Sequence, residues 1–115
     1  MRNIGIDIEK ISRFQDYLED KRKYSRFLSQ KEIEVFESFS SPKRRIEYLA
    51  GRFAAKEAII KAVNKAQKSF SYADLSILND EKGAPYLESK VLSEYEILLS
   101  LSHTDDDTIA IAVLK

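Results

Sequence analysis

The fold is decided by the stretch Arg52-Phe53-Ala54-Ala55-Lys56-Glu57-Ala58-Ile59-Ile60-Lys61-Ala62, which lies inside a long helical pattern. Ser41-Pro42 predicts the start of this helix, because serine caps a helix well and proline suits its first turn. The helical pattern then continues to about Ala66 without another proline. One face of the predicted helix is mostly apolar, with residues that recur every three or four positions: Ile46, Ala50, Phe53, Glu57, Ile60 and Asn64.

Glu57 is the charged residue inside that apolar stripe. A carboxylate in such a place must find a partner, take up a proton or bind a cation. Lys61 lies four residues further on, so an i,i+4 ion pair with Glu57 is the structural alternative to a functional role. Gly51 interrupts the helix interior, where glycine costs about 1 kcal/mol relative to alanine. It predicts that another element or a ligand approaches the helix there.

Length and composition limit the class of protein. The chain has 115 residues, 43% hydrophobic and 33% charged, which predicts one globular domain, residues 1–115, with a modest core. Lys and Arg together equal Asp and Glu at 19 each, so we expect no nucleic-acid partner. The absence of cysteine excludes disulfides and a thiol nucleophile and fits a reducing compartment. No apolar run reaches membrane-spanning length, so we expect a cytoplasmic protein with no membrane contact.

The first predicted strand alternates isoleucine with polar or small residues over residues 4–8. Asp7 lies on its polar face beside Gly5, which leaves room for a ligand or another backbone. A solvated strand carboxylate is the common alternative for Asp7. Helices are predicted to begin at Ser12 and at Ser29, each followed three positions later by a residue that can complete a capping box.

Two hairpins, at residues 75–87 and 97–114, follow the long helix in the predicted order of elements. The second half of the chain is therefore strand-rich, whereas the first half is mostly helical. This order predicts an α+β fold with a mainly antiparallel sheet packed around one long helix.

Basic side chains are concentrated after the first strand. Lys21, Arg22, Lys23 and Arg26 form a basic cluster interleaved with Tyr24 and Phe27, and Arg13 precedes it. Most such clusters are solvated surface, and the functional interpretation is a docking patch for an acidic partner. His103 is the only histidine and lies at a predicted strand end beside a turn, where functional residues are common. A surface histidine without a function is equally compatible with that position.

Three motifs together resemble holo-acyl-carrier-protein synthase, the short-chain group of 4′-phosphopantetheinyl transferases. They are Gly5-Ile6-Asp7-Ile8, then Arg52-Phe53-Ala54-Ala55-Lys56-Glu57-Ala58 followed by Lys61-Ala62, and finally Ser100-Leu101-Ser102-His103-Thr104. Each motif alone is weak, but three in this order in so short a chain are highly specific. The resemblance covers essentially the whole chain, including the turn Gly83-Ala84-Pro85.

The resemblance implies transfer of 4′-phosphopantetheine from coenzyme A to a serine of apo acyl carrier protein, with release of adenosine 3′,5′-bisphosphate. It implies a magnesium-dependent, cytoplasmic enzyme of fatty acid biosynthesis and lipid metabolism, assembled as a homotrimer with active sites between subunits. Asp7 and Glu57 would bind Mg²⁺, which prefers carboxylate oxygens. Lys61 would be the third catalytic residue, as a phosphate contact or general base.

The same resemblance assigns two groups of binding residues. Coenzyme A would be contacted by Arg52, Lys61, Gly83, Pro85, His103 and Thr104. The carrier protein, which is acidic, would dock on Arg13, Lys21, Lys23, Tyr24 and Arg26.

Two other classes of function stay open at the level of the sequence. One is a metal-dependent phosphodiesterase that uses Asp7 and Glu57 on nucleic acid, which the zero net charge disfavours. The other is a noncatalytic module that binds an acidic protein through Arg13 and residues 21–26. Only the transferase would change the mass of a carrier protein.

Overall fold

The computed structural model describes residues 2–63 and 69–115. In chain order its elements are strand β1 (Asn3–Lys10), a 3-10 helix (Ile11–Tyr17), helices α1 (Lys21–Tyr24), α2 (Gln30–Ser38) and α3 (Pro42–Val63), a second 3-10 helix (Tyr72–Asp74), and strands β2 (Ser76–Asn79), β3 (Pro85–Glu88), β4 (Ile97–His103) and β5 (Asp107–Leu114).

The strands form two antiparallel sheets within the described part of the chain. One sheet has the order β1-β5-β4, and the hairpin β2-β3 forms the other. The predicted α+β class with mainly antiparallel strands and one long helix is confirmed. The alanines of β5 let that sheet approach α3 closely, because Ala110 and Ala112 are fully buried in the same cluster as Ala54 and Ala58.

The two stronger helix-start signals are confirmed. The Ser41 hydroxyl accepts a hydrogen bond from the Arg44 N–H at 3.2 Å, directly before α3. Ser29 caps α2 in a capping box with Glu32, as the sequence predicts. The expected end of α3 near Ala66, and Asn64 with it, lie outside the described residues.

The predicted capped start at Ser12 is wrong. The 3-10 helix begins at Ile11, immediately after β1, and no side chain caps it. The Ile11 N–H instead donates to the carbonyl of Asp106 at 2.9 Å, so the chain enters the helix while still bonded to the end of the sheet. Ser12 therefore lies inside the first turn rather than before it.

A buried ion pair joins the helices to the two-stranded sheet. Lys56 is 0% exposed, and its Nζ donates to Glu32 Oε1 at 2.5 Å, to the Phe27 carbonyl and to the Tyr72 carbonyl at 3.0 Å. Glu32 also accepts from the backbone N–H of Ile77 at 2.7 Å. Burial lowers the pKa of Lys56, and the nearby Glu32 carboxylate opposes that shift. This buried lysine therefore links α3 to three other segments, which are the one at Phe27, helix α2 and the second 3-10 helix.

The apolar face of β1 is exposed on the surface of the chain. Ile4, Ile6 and Ile8 are 52%, 52% and 64% exposed, and Leu98 on β4 is also exposed. The opposite face of β1, which carries Asp7, packs towards α3. Alternation alone predicts that the two faces of this strand differ, whereas it does not predict which of them meets the helix.

Candidate active site

Gly5 brings β1 into backbone contact with α3. A Cβ at this position would lie 1.9 Å from the carbonyl oxygen of Ala58, so only glycine fits. The side chain of Asn3 adds a hydrogen bond to the Ala62 carbonyl at 2.8 Å. The expectation that another backbone approaches Gly5 is confirmed. Asp7, two residues further along the same face, is consequently held against the C-terminal half of α3.

Asp7 has one occupied oxygen and one free oxygen. Its Oδ1 accepts from Lys61 Nζ at 3.3 Å, and Lys61 also donates to the Ile6 carbonyl at 2.9 Å. Among the described residues, Asp7 Oδ2 is buried without a hydrogen-bond partner. A cavity of about 310 Å³ opens here, lined by Ile6, Asp7, Ile8, Lys61 and Ile109. A buried, unpaired carboxylate oxygen beside a cavity fits a site for a cation.

Glu57 is engaged by a residue that the sequence analysis missed. The hydroxyl of Tyr72 donates to Glu57 Oε2 at 2.6 Å. Burial raises the pKa of Tyr72 to about 12, with further contributions from the hydrogen bond to Glu57 and from the charges of Glu57 and Asp7. The phenol therefore stays protonated and acts as a donor. No ion pair joins Glu57 to Lys61 within residues 2–63 and 69–115, so the simple structural pair is not formed.

Glu9 is a second residue that sequence reasoning missed. Burial raises the pKa of its carboxyl to about 7, and the neighbouring carboxylate of Asp7 adds to the rise. Arg13 opposes that shift through an ion pair, with Nη1 2.5 Å from Glu9 Oε1. The spacing of Asp7 and Glu9, two residues apart on one strand face, was the available signal.

Asp7 on β1 lines the first cavity, whereas Glu57 on α3 belongs to neither cavity lining. In the described part of the chain, no three Asp, Glu, His or Cys side chains are grouped closely enough to hold a metal ion. Asp7 and Glu57 can therefore supply at most a sparse set of protein ligands. Such a set is chemically suited to Mg²⁺, which commonly keeps several waters and uses one or two carboxylates together with substrate phosphates.

A second cavity, of about 430 Å³, is lined by residues of α2, α3, the β2–β3 hairpin, β4 and β5. Arg52 forms part of its wall, with Nε donating to the Ile77 carbonyl at 3.1 Å and the guanidinium 4.3 Å from the centre of the Tyr48 ring. His103 Nε2 lies 3.7 Å from Glu47 Oε2. The complete lining is Val35, Phe39, Arg44, Glu47, Tyr48, Gly51, Arg52, Asn79, Gly83, Pro85, Leu101, His103 and Thr108.

Gly51 also lines the second cavity, where it presents only helix backbone because it has no side chain. A Cβ at this position would make only ordinary contact, 3.6 Å from Leu101 Cδ2 and 4.0 Å from Thr108 Oγ1. The close approach that the sequence predicts therefore does not come from another element of this chain. The position instead widens the second cavity by the volume of one side chain.

Most of the predicted site residues line one of two cavities. Asp7 and Lys61 line the first cavity, whereas Arg52, Gly83, Pro85 and His103 line the second, and the two linings share no residue. Thr104 lies in the turn between β4 and β5, where its Oγ1 accepts from the backbone N–H groups of Asp106 and Asp107.

The predicted docking residues are mostly on the surface, with one exception. Arg13 lies 4.8 Å from the centre of the Phe53 ring, and its side chain is 51% exposed. Lys21 and Arg26 are exposed, and Lys23 lies over the ring of Tyr17. Tyr24 is buried at 5% exposure and donates to Glu37 Oε2 at 2.5 Å, so its assignment to the docking surface is wrong. Its ring packs against Phe36 of α2 in the core, with centroids 4.6 Å apart.

Comparison with known proteins gives consistent results. Residues 3–114 match the family model described as the 4′-phosphopantetheinyl transferase superfamily. A holo-[acyl-carrier-protein] synthase of Staphylococcus carnosus (strain TM300) is 39% identical over 114 residues, covering 97% of this chain and 95% of that protein. One of Onion yellows phytoplasma (strain OY-M) is 36% identical over 121 residues, covering 100% of this chain and 94% of that protein.

Solved structures agree with the sequence relatives. A holo-(acyl-carrier-protein) synthase from Bacillus anthracis str. Ames, in complex with CoA (3′,5′-ADP), superposes with a TM-score of 0.85 at 35% identity, covering 98% of this chain and 95% of that chain. The Helicobacter pylori holo-[acyl-carrier-protein] synthase in complex with coenzyme A gives 0.77 at 28% identity, covering 97% and 99%.

Fold, site and matched family model together define a 4′-phosphopantetheinyl transferase. Within that superfamily, the chain belongs to the holo-acyl-carrier-protein synthase family, which confirms the resemblance seen in its three motifs.

Proposed function

We propose that this protein transfers 4′-phosphopantetheine from coenzyme A to a serine of apo acyl carrier protein and releases adenosine 3′,5′-bisphosphate. The observation that carries the proposal is the placement of Asp7, with one free buried oxygen, beside Lys61 in the fold of this family. The serine oxygen forms a bond to the phosphorus that carries pantetheine. The bond from that phosphorus to the nucleotide phosphate breaks, and the leaving phosphate keeps the electron pair.

Asp7 and Glu57 are the residues that would hold Mg²⁺. When bound, the ion neutralises the pyrophosphate as negative charge moves to the leaving phosphate. Lys61, whose side chain is half exposed at the mouth of the first cavity, binds a phosphate oxygen from the same side. Its hydrogen bonds to Asp7 and to the Ile6 carbonyl fix the direction of the ammonium group. The proton of the attacking serine hydroxyl passes to a general base, for which Lys61 is the candidate in this chain.

The second cavity suits the nucleotide end of coenzyme A. Its volume of about 430 Å³ falls in the range of small-molecule sites. Arg52 and His103 supply donors for phosphate, and Gly83 and Pro85 supply a smooth wall. Gly83 has a φ of 85°, the left-handed region that glycine adopts without strain, so the turn that carries this wall requires it.

One molecule of coenzyme A reaches both cavities if two copies of the chain share the site. The exposed isoleucines of β1 border the first cavity, so an apolar contact there would close its open side. We therefore include a homotrimer, with each site built between neighbouring subunits, in the proposed function. A face with so many exposed isoleucines is more typical of an interface than of a monomer surface.

Ile4→Glu is expected to prevent this assembly. Ile4 is 52% exposed and is not part of either cavity lining, so its charge would disturb only the contact between copies. Sedimentation should show a trimer for the wild type and a monomer for the variant, with transferase activity lost together with assembly. A wild-type protein that is active as a monomer at the assay concentration would reject the shared site.

The docking surface is defined as Arg13, Lys21, Lys23 and Arg26, which fits an acidic carrier protein. Arg13→Glu is expected to raise the KM for carrier protein about tenfold, because a charge reversal costs on the order of 1.4 kcal/mol of binding. The KM for coenzyme A should stay nearly unchanged. Activity of the wild type should also fall with added salt, since exposed charges are screened beyond about 8–10 Å.

Lys90→Glu is the matched control, because Lys90 is an exposed lysine outside this surface. Steady-state kinetics with carrier protein as the varied substrate measure both variants. An Arg13→Glu enzyme with the same carrier-protein KM as Lys90→Glu would remove the docking surface from the proposal.

The product would be a carrier protein ready for fatty acid biosynthesis, a use that fits a cytoplasmic enzyme without cysteine. Among the helices that the structure describes, none combines the length and the apolar character needed to cross a membrane. A phosphodiesterase is the competing function, because it could use the same carboxylates.

Chromatography of nucleotide products separates the two functions. The transferase should release adenosine 3′,5′-bisphosphate from coenzyme A only with apo carrier protein and Mg²⁺, and not with a carrier whose acceptor serine is replaced by alanine. A phosphodiesterase would release nucleotide without any carrier, and that result would contradict the proposal.

A further inference from the structure

Tyr72 is held firmly at its backbone and at its ring. Ser71 and Asp74 form a capping box around its 3-10 helix, with the Ser71 N–H donating to Asp74 Oδ2 at 2.8 Å. The carbonyl oxygen of Tyr72 accepts from the buried Lys56 Nζ at 3.0 Å. Its ring meets the edge of Phe53, with centroids 5.8 Å apart and planes at 76°. The position of the phenol is therefore determined by contacts other than its own hydroxyl.

The hydroxyl at the far end of this fixed ring donates to Glu57 Oε2 at 2.6 Å. Neighbouring residues of α3 thus bind both ends of Tyr72, with Lys56 on the carbonyl and Glu57 on the phenol. A half-buried glutamate has several rotamers, and a single strong donor on a fixed ring selects one of them. Among the described residues, no hydrogen bond to Glu57 Oε1 accompanies the bond to Oε2.

We propose that Tyr72 is a positioning residue, which holds Glu57 Oε2 and leaves Oε1 directed to a divalent cation shared with Asp7. This inference rests on the proposed function, because it takes Glu57 to be a metal ligand. Donors that fix the orientation of ligating side chains typically change metal affinity by about 10–100-fold when they are removed. The alternative is a purely structural bond that ties residues 71–75 to α3.

The two roles of the bond have different consequences for Tyr72→Phe. The variant keeps the ring and its contact with Phe53 and loses only the donor. A purely structural bond predicts a lower melting temperature with unchanged metal affinity. A positioning role predicts that the Mg²⁺ concentration for half-maximal rate rises about tenfold while the KM for coenzyme A does not change.

The decisive measurement is Mn²⁺ binding, by electron paramagnetic resonance, to full-length protein in the presence of coenzyme A, with a protein-free blank. Mn²⁺ is the probe because it takes the same oxygen ligands as Mg²⁺. We expect Tyr72→Phe to bind Mn²⁺ about tenfold more weakly than wild type. Tyr86→Phe, which removes the hydroxyl of an exposed tyrosine on β3, is the matched control and should bind as wild type does.

Glu57→Gln separates a failure of this inference from a failure of the proposed function. If Glu57→Gln weakens Mn²⁺ binding and Tyr72→Phe does not, the positioning role is overturned while the metal site stands. If Glu57→Gln also binds Mn²⁺ as wild type does, Glu57 is not a ligand, and both the metal site and the role of Tyr72 are overturned.

Discussion

Asp7→Ala and Glu57→Gln are each expected to lower kcat about 100- to 1000-fold while the protein remains folded. Stabilising negative charge on the transferred and leaving phosphates is worth several kcal/mol, and each 1.4 kcal/mol corresponds to about a tenfold change in rate. Removing either carboxylate removes that stabilisation from the transition state. The effect should appear in kcat, because both residues act at the reacting phosphates rather than on the remote parts of the substrates.

The contacts of both residues explain why folding should survive. Asp7→Ala removes an ion pair with the exposed Lys61, which contributes little to stability, and relieves the charge repulsion between Asp7 and Glu9. The other oxygen of Asp7 has no hydrogen-bond partner among the described residues. Glutamine at position 57 keeps an oxygen that can accept from the Tyr72 hydroxyl. Thermal melts of both variants should therefore stay near that of the wild type, with and without Mg²⁺.

The double variant should be little worse than either single variant, because residues that act as one unit are not additive. Initial rates at saturating coenzyme A and carrier protein measure this directly. Turnover by Glu57→Gln at the wild-type rate would contradict the proposed role of the carboxylates.

Glu32→Ala is expected to lower the free energy of unfolding by about 3–5 kcal/mol, which is typical when one member of a buried ion pair is removed. Lys56 would then lack a carboxylate partner at 0% exposure, with the carbonyls of Phe27 and Tyr72 as its remaining hydrogen-bond partners among the described residues. Natural domains have only about 5–15 kcal/mol of stability in total, so this single change should bring the fold close to unfolding. Chemical denaturation measures the loss.

Two further variants give this prediction its controls. Lys31→Met breaks an ion pair with Glu88 in which both side chains are about half exposed, so it should change stability little. Replacing Lys56 with Met and Glu32 with Gln together should cost less than the sum of the single changes, because no buried charge is left unpaired. Stability of Glu32→Ala close to that of Lys31→Met would contradict the importance of the buried pair.

Local signals in the sequence predicted where helices begin and where β1 approaches another backbone. Serine and proline before α3, and the capping box at Ser29, mark helix starts because their side chains bond to nearby backbone groups. Gly5 predicted the close approach of another backbone or a ligand for a similar reason, since a glycine leaves room. The start at Ser12 failed because a long-range bond from Ile11 to Asp106 determines that helix boundary.

The parts that could not be predicted depend on contacts between distant residues. Lys56 and Glu32 are 24 positions apart. The sequence reveals only the local role of Glu32, which completes the capping box of α2. Tyr72 meets Glu57 because Lys56 and Phe53, both distant in sequence, help to fix its position. The outward direction of the β1 isoleucines likewise follows from Gly5 meeting α3, a contact that alternation alone does not contain. Asp7 and Glu57 were predicted through family motifs rather than through geometry.

The measurement that tests the central claim most directly is the intact mass of apo acyl carrier protein after incubation with this enzyme, coenzyme A and Mg²⁺. The account predicts a gain of one phosphopantetheine on the acceptor serine, and no gain with EDTA, with Asp7→Ala, or with a carrier that lacks that serine. An unchanged carrier mass with the folded wild-type enzyme, or a full gain with Asp7→Ala, would contradict it.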